Sequence, residues 1–556
     1  MASEAVEAES VEASDWPLRP WLLAGLLGVA ALLIHLITGG RDNVPWQMAA
    51  AAFLLFGSLG AAFTIDEDRW KGPALFALAA GVVMAGLTWR AVRYGENLPD
   101  EQYGLAAGVI ATALALPLFQ AGFVRTRLAT PYIAIYRHIW TDAIAAAGSL
   151  AFTGLAWLAL VLLSELFHLL KIDFLRDAMN EGWFGWTFSG LAFGAALGIL
   201  RNQLKVLTTL QTVVLLVLSL LAVPLAVGLT VFLLASAVSG PQVLWEATRS
   251  ATPILLTCAA GSFVLASAIL RQSDAEMTGN RVMRIAALVL AVVILPLAVF
   301  AAVSMGLRLN QYGFAPERLW GLGAIAVACA WGVGYWVALA RGGRHGWTGK
   351  LRAANFHLAL GGCVLALLLA LPILDFGAIS TRNQIARLES GKVTPEQFDF
   401  AALRWDFGEP GRRALARLAK SDRAEVAELA QATLAQSQRP YRGFDSDQNR
   451  TREEFALRVQ PEDVVLRKRV LDYLVANPWV CPADCVALDL GSPEAGIQRV
   501  AILSGATYSV VELGGTQPQP KDKPAPTLKA DSHVEIRPWS GRQIYVDGQP
   551  FGEPFE

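Results

Sequence analysis

The sequence predicts an all-α polytopic membrane bundle of about eleven transmembrane helices, followed by a small α+β soluble domain. Three observations carry that expectation. Of the 556 residues, 54% are hydrophobic and 17% charged, whereas soluble domains average roughly 25% charged. The apolar residues gather in runs near the ~20 that a helix needs to cross a bilayer. After residue 375 those runs stop, and the pattern becomes that of a chain burying its own core.

Residues 1–19 are expected to form a disordered acidic tail. Glu4, Glu7, Glu9, Glu12 and Asp15 precede Trp16-Pro17, and an acidic start lacks the positive region of a cleavable signal peptide. The transmembrane domain is placed at 20–375, with apolar runs near 20–38, 46–65, 72–89, 103–124, 143–164, 184–200, 211–238, 253–270, 283–305, 318–340 and 356–374. The run at 184–200 is short, so a re-entrant segment and ten spans form the alternative. Trp21, Trp46, Trp70, Trp89, Trp183, Trp320 and Trp347 sit at span ends, where an indole prefers the headgroup boundary.

Orientation follows from the cations of the short loops. Arg19, Arg69, Lys71, Arg125, Arg127, Arg137, Arg201, Lys205, Arg271, Arg281, Arg284, Arg341, Arg344, Lys350 and Arg352 fall on one side. Arg41, Arg90, Arg93, Lys171, Arg176, Arg249, Arg308 and Arg318 fall on the other. Fifteen against eight puts the N-terminus in the cytoplasm, and eleven crossings then put the C-terminal domain outside. Cysteines agree: Cys258, Cys329 and Cys363 lie in apolar spans, while Cys481 and Cys485 form a CxxxC pair in the tail. A lone pair lacks the partners of a structural zinc site and reads as a local disulfide in an oxidising compartment.

The tail divides into a helical part, 376–480, and a β-rich module, 481–556. Thr394-Pro395-Glu396-Gln397 and Thr451-Arg452-Glu453-Glu454 are capping boxes that predict helix starts. Between them Leu415, Leu418, Val426, Leu429 and Leu434 recur at helical spacing. Beyond Cys485 the period becomes 2, predicting strands at 486–490, 500–503 and 508–513. A Pro-rich loop at 515–528 precedes strands near 534–536 and 544–546, and Asp547-Gly548 gives a turn signal.

Few residues offer chemistry. Glu165 and His168, three apart, share a helix face as in di-iron bundles, but no second copy exists, so a polar helix end is the better reading. His35 is read as a packed histidine, and Gln120 and Gln211 as helix-packing groups. Pro224 and Pro296, each within a Pro-Leu-Ala-Val sequence, and Pro372 are candidate helix kinks, which mark binding sites in transporters built of repeats. Residues 125–142 are basic and aromatic and read either as a headgroup-plane segment or as a plain loop. No phosphate loop, dinucleotide fingerprint or hydrolase motif occurs in a suitable context, so no catalytic residue, cofactor or metal is named. A net charge of -1, from 46 basic and 47 acidic residues, supplies no field for nucleic acid.

Tyr136-Arg137-His138-Ile139-Trp140, followed by Gly154, Trp157 and Leu166-Phe167, is similar to the core of a family of bacterial inner-membrane proteins, domain of unknown function 4153. Ile379-Ser380 to Gln384, Arg387-Leu388, Gly391 and Phe398-Asp399 resemble that family's membrane-exit region. The resemblance spans about residues 20–410 and implies a multi-spanning envelope protein without carrying over catalytic residues. The leading expectation is a non-enzymatic inner-membrane protein whose exterior residues 376–556 dock or regulate an envelope partner. A transporter or channel for a neutral or lipid-like substrate is the alternative.

Overall fold

The computed structural model describes residues 16–39, 44–99, 101–239, 251–436, 439, 455–477, 480–481, 485–494, 497–504, 507–513, 542–546 and 549–555. The expected disordered stretch 1–15, the capping box at Thr451 and the Pro-rich loop at 515–528 lie outside them. Eleven helices among the described residues are long and apolar enough to cross a membrane. They are α1 (Arg19–Thr38), α2 (Pro45–Thr64), α3 (Lys71–Tyr94), α4 (Glu101–Gln120) and α5 (Tyr132–Leu169). The short α6 (Phe174–Asn180) precedes α7 (Gly182–Asn202), α8 (Leu204–Ser239), α9 (Ala251–Leu270) and α10 (Arg281–Tyr312). A break at Gly343 separates α11 (Pro316–Gly343) from α12 (Gly346–Ala370). Gly343 has φ 54°, in the left-handed region that costs a glycine nothing.

The short run near 184–200 is a full helix. Its glycines Gly190, Gly194 and Gly198 recur every fourth residue, forming one stripe. A Cβ there would lie 2.4 Å from Leu27 O, 2.3 Å from Leu23 O and 2.4 Å from Pro20 Cα, respectively. The partner number falls as the glycine number rises, so α7 runs antiparallel to α1 with backbones in contact. Apolar chains have no hydrophobic drive to associate in lipid, and small residues supply close packing instead.

Proline placement is resolved by hydrogen bonding. Pro224 lies inside α8 and Pro296 inside α10. Pro296 lacks the N–H that would reach Val292 O, and the Trp336 indole of α11 donates to that carbonyl at 3.0 Å. A neighbouring helix thus satisfies the freed backbone group. Pro372 kinks nothing, because α12 ends at Ala370 and the proline follows its C-cap.

The chain divides into two compact units, Met1–Ser437 and Gln438–Glu556. Helices α13 (Phe376–Glu389), α14 (Phe400–Trp405), α15 (Gly408–Leu418) and α16 (Ala424–Ala435) belong to the first, so the membrane-exit segment folds with the bundle. Arg387, 9% exposed, donates to Asn310 O at 3.1 Å and Gln311 O at 2.6 Å. Gln384 Nε2 donates to Tyr312 O at 2.9 Å and Phe314 O at 2.8 Å, and Asn383 Oδ1 accepts from Phe314 N at 2.9 Å. The bonds to Asn310, Gln311 and Tyr312 occupy carbonyls that the last turn of α10 leaves without intrahelical partners. The helix expected from Thr394 is a single turn. Phe398 and Phe400 are both buried, and Asp399 caps the next helix by accepting from Ala402 N at 2.9 Å, so the chain turns at Asp399 instead of continuing.

The second unit holds β1 (Leu457–Gln460), α17 (Val464–Ala476), β2 (Cys485–Glu494), β3 (Ile497–Ser504) and β4 (Thr507–Leu513). The sheet order is β1-β2-β3-β4, with β1 parallel to β2 and the other neighbours antiparallel. Asp463 caps α17 by accepting from Val465 N at 2.7 Å. Val470 and Leu474 of α17 pack on Leu457, Ala487, Val500 and Ile502. The Cα atoms of Cys481 and Cys485 stand 5.8 Å apart with their sulfurs in contact, the spacing of a bonded pair. β5 (Arg542–Val546) and β6 (Gln549–Phe555) form a separate hairpin; the Asp547-Gly548 turn between them lies outside the described residues.

Candidate functional site

The residues singled out for chemistry are scattered. Glu165 is exposed on α5, and the His168 ring turns away to Asp173, with Nδ1 2.5 Å from Oδ1 and both side chains about half exposed. Both residues therefore lie exposed at a helix end, where His168 and Asp173 share a local hydrogen bond. Among the described residues no group of three or more His, Cys, Asp and Glu side chains is arranged to hold a metal. His35 packs its ring on Gly182 at the start of α7. Gln120 Nε2 donates to Phe63 O at 2.9 Å, joining α4 to α2.

The N-terminal third of α5 organises one end of the bundle. Tyr136, 3% exposed, donates from its hydroxyl to Ser267 O at 3.2 Å, where α9 ends. On the same face Tyr132 lies 3.5 Å from Asn355 Nδ2, and Asn355 Oδ1 accepts from Tyr335 at 2.7 Å. Arg352 completes this cluster by donating to Leu270 O at 2.7 Å, Arg271 O at 3.2 Å and Asp274 at 2.8 Å. Two residues on, 200° round an ideal helix, the opposite face carries His138 and Asp142 toward Arg201. Arg201 donates to Ala62 O and Ile65 O, and Arg19 bonds Asp66 at 2.6 Å and Asn202 at 2.8 Å. The basic stretch at 125–142 is thus divided: Arg125, Arg127 and Arg137 are exposed, while Tyr136 is enclosed. The enclosed arginines Arg19, Arg201 and Arg352 bond helix-end carbonyls, the Asn202 amide and the carboxylates of Asp66 and Asp274, an arrangement that fixes helices.

The other end offers a cavity. A crevice of about 610 Å³ opens between the last turn of α3, the first turn of α11, the end of α12 and the first turns of α13 and α15. Two glycines make its roof possible. A Cβ on Gly408, whose φ is +64°, would lie 2.4 Å from Asn97 O, and one on Gly377 would lie 3.0 Å from Pro99 Cγ. The exit helices can therefore sit directly on the α3–α4 loop. The floor is apolar, from Leu369 to Leu374, and Trp320 stands between Tyr103, stacked at 5.6 Å, and Phe376, edge-on at 5.2 Å. Charge enters from Arg90, Asp375, Glu409 and Arg413. Asp375 Oδ1 accepts from Ala378 N at 2.9 Å as the cap of α13, and Glu409 pairs with Arg413 at 3.4 Å. Arg90 is half-buried, and no hydrogen bond or ion pair to it is found among the described residues. From the sequence Arg90 is only a loop cation, whereas it lies in the last turns of α3; 323 residues separate it from Arg413, and no local pattern brings them together.

No curated protein and no solved structure matches the chain. A family model, described as a domain of unknown function, matches residues 18–418. That stretch covers the eleven apolar helices, the exit helices through α15 and every residue lining the crevice. The match covers well over half of the chain, so this integral membrane protein belongs to the DUF4153 family.

Proposed function

We propose that the protein is a non-enzymatic component of the bacterial inner membrane whose C-terminal unit docks or regulates an envelope partner. One observation carries this reading: Gln438–Glu556 is a compact unit with its own apolar core, separate from the Met1–Ser437 unit that contains the spans. A folded module tethered to an anchor is suited to recognition, and the described residues hold no assembled catalytic set. The orientation rests on the fifteen-to-eight loop bias, which favours a cytoplasmic N-terminus and a periplasmic module. The contact of Cys481 with Cys485 supports an oxidised pair there.

A periplasm-dependent phosphatase reporter fused after Glu556 tests the orientation. It is expected to be active, with Cys481 and Cys485 labelled by a thiol reagent only after reduction. Deleting Gln438–Glu556 from the full chain tests docking, and loss of the cellular phenotype with normal membrane insertion is expected. Retention of the phenotype without the module would refute docking. A second reading, a carrier of a lipid-like substrate, draws support from the crevice beneath the exit helices. In that case the phenotype follows residues 18–418 and survives the deletion.

A further inference from the structure

The crevice on the C-terminal side of the bundle has two halves with different chemistry. Its floor, Leu369 to Leu374, is hydrocarbon, and its rim carries the Arg90 guanidinium. A half-buried cation without a counter-charge is costly in a low-dielectric site. Among the described residues, the carboxylates lining the crevice are engaged elsewhere: Asp375 caps α13 and Glu409 faces Arg413. Trp320 beside the floor marks the level at which aromatic rings meet headgroups. The volume, about 610 Å³, falls within the ~300–1,000 Å³ of small-molecule sites.

We propose that this crevice binds a bilayer phospholipid of net negative charge, with its phosphate on the Arg90 guanidinium and an acyl chain over Leu369–Leu374. A guanidinium presents a planar fork that matches phosphate oxygens in pairs. The lipid supplies a counter-charge that no described residue gives Arg90 and covers the exposed apolar floor, which a free phosphate would leave wet. The competing account is simple snorkelling, in which Arg90 meets bulk headgroups as any arginine at a span end does. Arg93, exposed one turn further along the same helix and outside the crevice, separates the two. The inference is independent of the docking reading, since the crevice belongs to Met1–Ser437.

Native mass spectrometry of the full chain tests it, using phosphatidylglycerol and phosphatidylcholine of identical acyl chains at equal concentration. One phosphatidylglycerol is expected to be retained with about tenfold preference, a difference of about 1.4 kcal/mol. Arg90→Ala is expected to erase the preference, Arg93→Ala to leave it, and Leu371→Trp to lower retention by filling the floor with no change of charge. Thermal melts establish that each variant is folded, and Leu371→Trp carries the test if Arg90→Ala is not. Equal retention of the two lipids would overturn the proposal. So would equal losses from Arg90→Ala and Arg93→Ala, which would mean bulk attraction only. Displacement of the lipid by glycerol phosphate alone would show a phosphate site without an acyl-chain site, and would also overturn it.

Discussion

Replacing Gly194 with alanine adds one methyl group to the seam between α1 and α7. Its Cβ would stand 2.3 Å from Leu23 O, 2.6 Å from Leu23 C and 2.8 Å from Ala24 Cα. All three are backbone atoms and cannot rotate aside. Ordinary contact lies at about 3.5–4 Å, so α1 must retreat by roughly 1 Å. Overpacking of this kind costs about 1–3 kcal/mol. Against it stands the helix preference of alanine over glycine, about 1 kcal/mol. Gly25→Ala isolates that preference, because nothing lies within 4 Å of the added methyl. Unfolding of the purified variants in one detergent, followed by circular dichroism against sodium dodecyl sulfate, should place Gly194→Ala below Gly25→Ala by about 1–3 kcal/mol. Gly190→Ala and Gly198→Ala should fall in the same range, and the double variant should cost less than the sum, since one displacement of α1 relieves both contacts. Gly194→Ala and Gly25→Ala of equal stability would refute the antiparallel seam and, with it, α7 as a full crossing.

Three further outcomes are expected. Trp336→Phe should cost about 0.6–1 kcal/mol in the native chain and much less in Pro296→Ala, where a restored backbone N–H reclaims Val292 O; a double-mutant cycle checks this, and equal costs in both backgrounds would refute the pairing. Arg387→Met should leave the Asn310 and Gln311 carbonyls unmet, lower stability by about 2–3 kcal/mol and speed proteolysis after Asp375, read by gel; cleavage at the native rate would count against the clamp. Burial raises the Asp274 carboxyl, but hydrogen bonds from Arg352 and Thr348 outweigh it and leave Asp274 below its ordinary value. A depressed folded value means that the contribution is present above the unfolded value, about 3.9, and is lost as pH falls through the folded one. Melting curves of Asp274→Asn should accordingly converge on those of the native chain at the acid end.

Hydropathy alone revealed the helical membrane bundle, because burial in lipid imposes a length and a polarity that any sequence must obey. Where the ends were missed, the cause is specific. Span five was read from 143, yet α5 starts at Tyr132. Arg137, His138 and Asp142 break the apolar run, but they do not break the helix, since no proline or glycine stands between Pro131 and the span. The glycine stripe of α7 lowered that segment's apparent hydropathy while providing its packing. Gly343 was unmarked in the sequence among its neighbours Gly342 and Gly346. In the tail, the capping box at Thr394 misled. Local start signals at Thr394 yield to Phe398 and Phe400, which must enter a shared core. The crevice was illegible for a different reason: its charges come from α3, the cap of α13 and α15, and only tertiary packing sets Arg90 near the exit helices.

The 38 residues of α5 span about 57 Å as one helix, far more than the ~30 Å of hydrocarbon. Its overhang carries Tyr132 and Tyr136 on one flank and His138 and Asp142 on the other, and the rod is rotationally rigid. Angular phase, rather than sequence proximity, therefore keys both flanks to their partners. One residue inserted near Ala147 would twist the overhang by about 100° and misalign both flanks together, whereas seven would return it to within about 20°. The two polar clusters are in this sense a single lock, with the helix as its spindle.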